Sequence, residues 1–517
     1  MASLDSRPTG LLILFSVFFA ALSGLLYELV AGTLSSYLLG GSVTQFSVVI
    51  GVFLSSMGAG AFLSRYVQSH LLASFIALEI WVGLIGGLIA PLGFIAFTYT
   101  DVYTPILLFL VVVVGILVGA EIPLVIRILE KRSTLRLTLA NVLGIDYIGA
   151  LAASLAFPFL ILPSLGLMRA GLAAGLLNVG VGGLLLWHFR SLLGKRFSRL
   201  RALALGAAVF LSAVFIASGS LSSFLENQLY QDEIIYSKTS PYQKIVLTRW
   251  KDDTRLYLNG HLQFSSIDEY RYHETLVLPA LGAVLGRAPV ERVLVLGGGD
   301  GLALRQLLKE QSVQSIKLVD LDETVTTLFK TRPYLQDLNG NALNDPRVRI
   351  ENRDAMRALE EDHSLYDLIV MDLPDPSEPG LAKLYSTAFF RLVTKHLRPH
   401  GVLVTQATSP FRARQAFWSI VHTLEKMENR AMGRLHVRPY HTTIPTFGSW
   451  GFVMASWQPV DLNKISLPSE TQFLTEAVLS TLFAFPRDVG RLEAPVNDLN
   501  SPKIVELYRR GYHRYLD

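Results

Sequence analysis

About seven stretches in the first 220 residues are apolar for long enough to cross a bilayer, and no other feature restricts the fold as much. They lie near 11–33, 38–62, 71–97, 103–126, 142–165, 168–188 and 202–219, and crossing the ~30 Å hydrocarbon layer takes ~20 helical residues. Charge is scarce there: 12 of 46 Lys/Arg and 7 of 42 Asp/Glu fall within residues 1–220. The 51% apolar share of the chain is thus concentrated in a helical membrane bundle, followed by a soluble half near neutrality. The first apolar run exceeds the ~7–15 residues of a cleavable signal, and further spans follow it.

Basic residues gather in alternate connections: Arg7, then Arg65, then Arg127, Lys131, Arg132 and Arg136, then Arg190, Lys195, Arg196, Arg199 and Arg201, with only Arg169 elsewhere. The positive-inside rule places these connections in the cytoplasm. Seven spans would put the soluble half on the other face, so a cytoplasmic catalytic half requires one run, such as the short 202–219, to lie peripherally. The expectation is a multi-pass protein of the cell membrane, in contact with lipid, whose catalytic half is cytoplasmic. Glu28, Glu79, Glu121 and Asp146 lie inside apolar runs, where an ionisable group costs several kcal/mol unless paired or hydrated. They read equally as a cation site or as acids held between helices. The small residues of "SSMGAGAF" mark close helix packing.

The soluble half offers no basic run interleaved with aromatics, so nucleic acid is not an expected partner. With no cysteine, disulfides, thiolate nucleophiles and cysteine zinc sites are excluded, and no His/Asp/Glu cluster has metal-ligand spacing. From Asp232, short β-rich pieces ("EIIYSKTS", "KIVLTRW", "TRLYLN", "HLQFSS") predict a small antiparallel subdomain. After a helix near 268–285, the strands "RVLVLGG", "SIKLVDLD", "RVRIEN", "YDLIVMDL", "GVLVTQAT" and "GSWGFVMAS" alternate with helical segments. That alternation predicts a Rossmann-like α/β sheet of the methyltransferase type, mainly parallel, with a ligand crevice at its carboxyl edge. The expected division is 1–220 membrane bundle, 221–285 linker and β subdomain, 286–460 Rossmann-like domain, and 461–517 helical tail.

Acids collect at the predicted strand ends. Gly297 and Gly299 belong to a loop that lets a ligand approach backbone at a helix start, and that loop also carries Asp300. Asp320 follows Gly299 by 21 residues, the spacing at which a carboxylate holds ribose hydroxyls. Asp354 can accept from an adenine amino group, and "MDLPDPSEP" sets Asp372 and Asp375 three apart. So many carboxylates repel phosphate and favour a cationic nucleoside. An acid in the glycine loop also repels the carboxylate of S-adenosylmethionine, which leaves decarboxylated S-adenosylmethionine as the expected co-substrate.

Over roughly Ile235–Ser456 the chain resembles the polyamine aminopropyltransferases, the spermidine synthase family. The motifs "SPYQ", "LNGHLQFSSIDEYRYHE", "LGGGDG", "VDLDE", "DPRVRI" and "DLIVMDLPDP" carry the resemblance, and the apolar half is similar to its membrane-fused branch. The resemblance implies transfer of an aminopropyl group to a diamine such as putrescine, giving spermidine and methylthioadenosine without a metal. It implies Asp372 as catalytic acid/base helped by Tyr272, and Gln243 and Asp300 at the aminopropyl end. His273 would lie in the co-substrate pocket, with Asp320 on the ribose, Asp354 on adenine, Asp375 on the distal ammonium, and Gln263 and Gln406 lining the amine channel. It also implies a homodimer as one possible assembly. The chain departs from the family at Phe447, where a tyrosine is common, at Leu302, where a glycine is usual, and at Leu373 and Pro374, where small polar residues are common. Two other readings fit the residues: a methyltransferase acting on a membrane-associated substrate, and a polyamine carrier or sensor with a soluble binding module.

Overall fold

The computed structural model describes residues 7–39, 42–100, 102–130, 134–230, 232–468 and 470–513; Lys131 and Arg132 of the basic connections lie outside them. Two compact units divide between residues 231 and 232.

The first unit is all helix. Among the described residues, six helical stretches are apolar and long enough to cross a membrane by length and composition. The longest, Leu135–His188, has 54 residues, about 80 Å at 1.5 Å per residue. It is not one straight rod: Gly166, at φ 71° and ψ 173°, interrupts it in the gap between the expected runs 142–165 and 168–188. Close packing comes from glycine. A Cβ on Gly60 would lie 2.0 Å from the Ile116 carbonyl oxygen, and one on Gly119 would lie 2.1 Å from that of Met57. The "SSMGAGAF" segment therefore joins helix Ser42–Leu63 to helix Tyr103–Leu129 backbone to backbone.

The second unit opens with a four-stranded antiparallel meander, β1 (Glu233–Thr239), β2 (Lys244–Trp250), β3 (Asp253–Leu258) and β4 (His261–Ser265). Helix Glu269–Leu285 leads from it into the central sheet. The sheet strands are β5 (Arg292–Gly297), β6 (Ser315–Asp320), β7 (Val348–Asn352), β8 (Tyr366–Asp372) and β9 (Leu397–Gln406). After the small hairpin β10 (Glu428–Asn429) and β11 (Gly433–Arg434) come β12 (His436–Ile444) and β13 (Gly448–Ser456). The order is β12-β13-β9-β8-β5-β6-β7. The five strands from β9 to β7 run parallel, and β13 and β12 add antiparallel. The sheet is therefore mixed. β12 was not expected because Pro439 interrupts its pattern, yet an edge strand tolerates a residue without an N–H.

Strand order reverses between β5 and β8, so the carboxyl ends of β5, β6 and β8 open into one crevice. β5 and β8 are buried along Val293–Leu296 and Leu368–Met371, as a strand covered on both faces must be. The segment after residue 460 is mostly irregular. Among its described residues only Glu476–Leu482 and Lys503–His513 form α-helices, in place of the helical tail expected. Core side chains satisfy its backbone instead. Buried Glu274 accepts from the amides of Gln472, Phe473 and Leu474 at 2.7–3.0 Å, and Trp418 donates to the Val489 carbonyl.

Candidate active site

The glycine loop is wedged between two acid-tipped strands. Gly297 adopts φ 79°, and a Cβ there would lie 2.0 Å from the Asp372 carbonyl oxygen. A Cβ on Gly299 would meet Asp320 Oδ2 at 2.7 Å. The loop must therefore be glycine to pass between the ends of β6 and β8. Gly298 N–H donates to the Asp372 carbonyl and Gly299 N–H to Asp320 Oδ2, at 3.1 and 3.0 Å.

The acids occupy this crevice with a histidine among them. One ligand atom from each of His273, Asp300 and Asp372 lies within 4.8 Å of the others, the sole such His/Asp/Glu group among the described residues. Asp300 is pushed up to about 6, first by burial, with the charge of Asp372 adding to it and His273 opposing it. Asp320 is also pushed up to about 6 by burial, against the amides of Asp322 and Gly299 that hold its two oxygens. Burial works against the charged form of His273, but the hydrogen bond and charge of Glu269 outweigh it and raise its pKa. His273 Nδ1 lies 2.8 Å from Glu269 Oε2, and Arg305 pairs with Glu269 at 2.7 Å. The other ring nitrogen, Nε2, is 3.9 Å from Asp372 Oδ2.

Tyr272 donates its hydroxyl to Asp372 Oδ1 at 2.7 Å. Burial and then the charge of Asp372 raise its pKa well above the ordinary range, so it acts as a neutral donor that fixes the carboxylate. Its ring packs against Phe452, Phe447 and Trp450, with centroids 5.3, 6.4 and 6.5 Å away. Phe447 thus supplies a face and no hydroxyl.

Asp375 forms a second acidic pole. It accepts from Thr408 Oγ1 at 3.2 Å and from Gln406 Nε2 at 3.3 Å, and burial pushes it up to about 6 against hydrogen bonds that include Tyr508. Gln406 is almost fully buried, and its amide also reaches the Leu373 carbonyl and the Tyr385 hydroxyl. That engagement makes it a brace for the 372–375 turn. Thr408 sits at φ 59°, a costly conformation for a β-branched residue, held by its amide on Gln406 Oε1 and its carbonyl on Gly451 N–H.

Three expected residues have other partners. Gln243 donates to Asp322 Oδ2 at 3.0 Å, alongside Ser240. Asp354 caps helix Ala355–Glu361 through Met356 and Arg357 N–H and pairs with Lys383 at 2.6 Å. Lys383 and those amides hold its carboxyl below the usual range although burial opposes them. Gln263 donates to the carbonyl of His261 in its own strand, and no hydrogen bond joins it to the acids among the described residues. The sequence reading missed Glu269, Arg305, Tyr385, Thr408 and Tyr508. Of these only Glu269 carried a signal, its i,i+4 spacing to His273 on one helix face.

Residues 269–466 match the spermine/spermidine synthase domain. The chain is 43% identical over 502 residues to a polyamine aminopropyltransferase of Leptospira interrogans, covering 97% of this chain and 99% of that protein. It belongs to the polyamine aminopropyltransferase family. Polyamine aminopropyltransferase 2 of Ralstonia nicotianae is 46% identical over 521 residues, covering 99% of this chain and 100% of that protein. Among solved structures, the spermidine synthase of Thermotoga maritima is 25% identical, with a TM-score of 0.44, covering 50% of this chain and 86% of that one. These two aminopropyltransferase relatives align across the apolar helical unit as well as the sheet, so that unit is shared with them. The protein is an enzyme, an aminopropyltransferase acting on polyamines.

Proposed function

We propose that the enzyme moves the aminopropyl group of decarboxylated S-adenosylmethionine to putrescine, releasing spermidine and methylthioadenosine, from a membrane-anchored position. The observation that carries this reading is Asp372, a carboxylate fixed by a neutral Tyr272 donor and flanked by Asp300 and His273. A primary amine with pKa ~10.4 is almost wholly protonated at pH 7, which costs about 4–5 kcal/mol before its lone pair is free. Asp372 receives that proton as nitrogen attacks the methylene carbon beside sulfur. The new C–N bond forms as C–S breaks, and the sulfonium electrons leave on neutral methylthioadenosine. Asp300 attracts the ammonium of the donated arm, and Asp375 attracts the far ammonium of the diamine. Holding the reactants in line supplies much of the remaining rate. A mass-spectrometric product assay on purified protein tests the reading: spermidine and methylthioadenosine are expected from putrescine with EDTA present. Activity lost to EDTA and restored by a divalent ion would instead make the His273, Asp300 and Asp372 trio a metal site.

A pH dependence follows from the same acids. Ammonium binds the ionised form of Asp375, whose pKa is pushed up to about 6 by burial. Protonation below that value removes the attraction. KM for putrescine is expected to rise as pH falls through 6, approaching tenfold per unit. A KM flat from pH 5 to 8 would remove Asp375 from the diamine site.

The membrane reading rests on the apolar helices and on large side chains facing outward, among them Ile216 at 81% and Phe159 at 75% exposure. The catalytic unit is assigned to the cytoplasm with the basic connections. Because the chain holds no cysteine, single replacements Ser191→Cys and Asn500→Cys report sidedness directly. Both are expected to resist an impermeant maleimide in intact cells and to react in inverted vesicles. Labelling of Asn500→Cys in intact cells would place the sheet on the outer face.

A further inference from the structure

The helical unit buries acids that the transfer reaction does not use. Glu79 is fully buried, and neither of its carboxylate oxygens has a hydrogen-bond partner among the described residues; Glu121 Oε1 is also without one. A carboxylate removed from water without partners costs several kcal/mol, and buried polar atoms are rarely left this way. A second, independent group points at the same place. The hydroxyl of Tyr27, fully buried and without a partner among the described residues, lies within electrostatic reach of both Glu79 and Glu121. Glu121 in turn lies within electrostatic reach of Glu79 and of the half-buried Asp146.

The surrounding helices are shaped to bring these groups together. Gly86 lets the Tyr27 ring lie flat on its helix, since a Cβ there would come within 2.7 Å of the ring. Gly83, one turn after Glu79, would place a Cβ 2.6 Å from the Gly175 carbonyl oxygen and 3.0 Å from Asn178 Cβ. Asn178 is fully buried, accepts from Ser23, and leaves its amide nitrogen without a partner among the described residues. Pro123, two residues past Glu121 inside its helix, has no N–H for the carbonyl of Gly119, so the backbone ladder loses one bond close to the acid in sequence.

We propose that Tyr27, Glu79 and Glu121 form a second amine site, one that holds a primary ammonium group of a diamine or polyamine within the helical unit. Among the described residues, the group with three His/Asp/Glu ligand atoms within 4.8 Å lies at the active site and not in this unit. An ammonium group suits spaced acceptors, since it offers three donors and one positive charge. The choice of an amine over an inorganic cation rests on the transferase reading above.

The test uses the full chain in detergent and radiolabelled putrescine in equilibrium dialysis. Wild type is expected to bind two equivalents per chain, and Glu79→Gln/Glu121→Gln one equivalent with aminopropyl transfer retained. A hydrophobic carbodiimide, with the adducts mapped by mass spectrometry, gives a second readout on wild type alone. Putrescine is expected to slow modification of Glu79 and Glu121 at least tenfold, and sodium chloride at equal ionic strength is not. One equivalent bound by wild type, two bound by the double variant, or equal protection by sodium would each overturn the proposal. If the double variant does not fold, the carbodiimide result decides. Protection of Glu79 by putrescine without any spermidine formed would sink putrescine as the acceptor of the transfer and leave this site standing.

Discussion

Replacing Asp372 with Asn is expected to lower kcat by roughly 10²–10⁴-fold, the span that positioned proton transfer supplies, with little change in KM for the nucleoside co-substrate. The amide keeps the shape and can still accept from Tyr272, but it cannot take a proton from the incoming ammonium. The glycine loop should be undisturbed, because it is held by the backbone carbonyl of Asp372. Tyr272→Phe removes the 2.7 Å donor and leaves the carboxylate in place. Its loss should be smaller, about 10–100-fold, matching one hydrogen bond to a charged group at ~1.5–3 kcal/mol. Stopped or quenched-flow measurement of the transfer step separates these outcomes. Turnover of Asp372→Asn near that of wild type would mean that the proton leaves by another route.

The second large effect is on selectivity. Asp300 is half-buried beside Asp372, and its carboxylate would face either the lone ammonium of the decarboxylated arm or the added carboxylate of S-adenosylmethionine. Asp300→Asn is expected to reduce preference for the decarboxylated compound by about 10–100-fold, again the value of one charged hydrogen bond. The measurement is the ratio of kcat/KM for the decarboxylated compound to the inverse inhibition constant of S-adenosylmethionine. Asp300 also caps its own loop through Leu302 N–H at 2.9 Å, and Asn can still accept that bond. An unchanged ratio would show that the acid serves the loop turn and not the ligand.

Much of this was legible in the sequence because the chemistry sits on strand ends. Alternating apolar strands and helices specify the parallel core, and the acids at 320 and 372 follow strand residues directly. The glycine loop was readable for a steric reason that the structure now makes explicit at Gly297 and Gly299. What the sequence could not carry was partnership between distant segments. Asp354 reads as a ligand group, yet Lys383, 29 residues on, supplies its counter-charge. Gln406 reads as a channel residue, yet Leu373 and Tyr385 occupy its amide. Tyr508 reaches Asp375 from a tail without any motif, and only tertiary packing places it there. β12 was hidden by Pro439, and the irregular tail by side chains such as Glu274 that replace a regular hydrogen-bond ladder.

The central claim is which carbon moves. Decarboxylated S-adenosylmethionine carrying ¹³C in its aminopropyl arm and deuterium in its methyl group, offered with putrescine in a single turnover, answers it directly. The account predicts ¹³C in spermidine, with all deuterium retained in methylthioadenosine. Deuterium in the amine product, with ¹³C left on the nucleoside, would make the enzyme a methyltransferase and contradict the account.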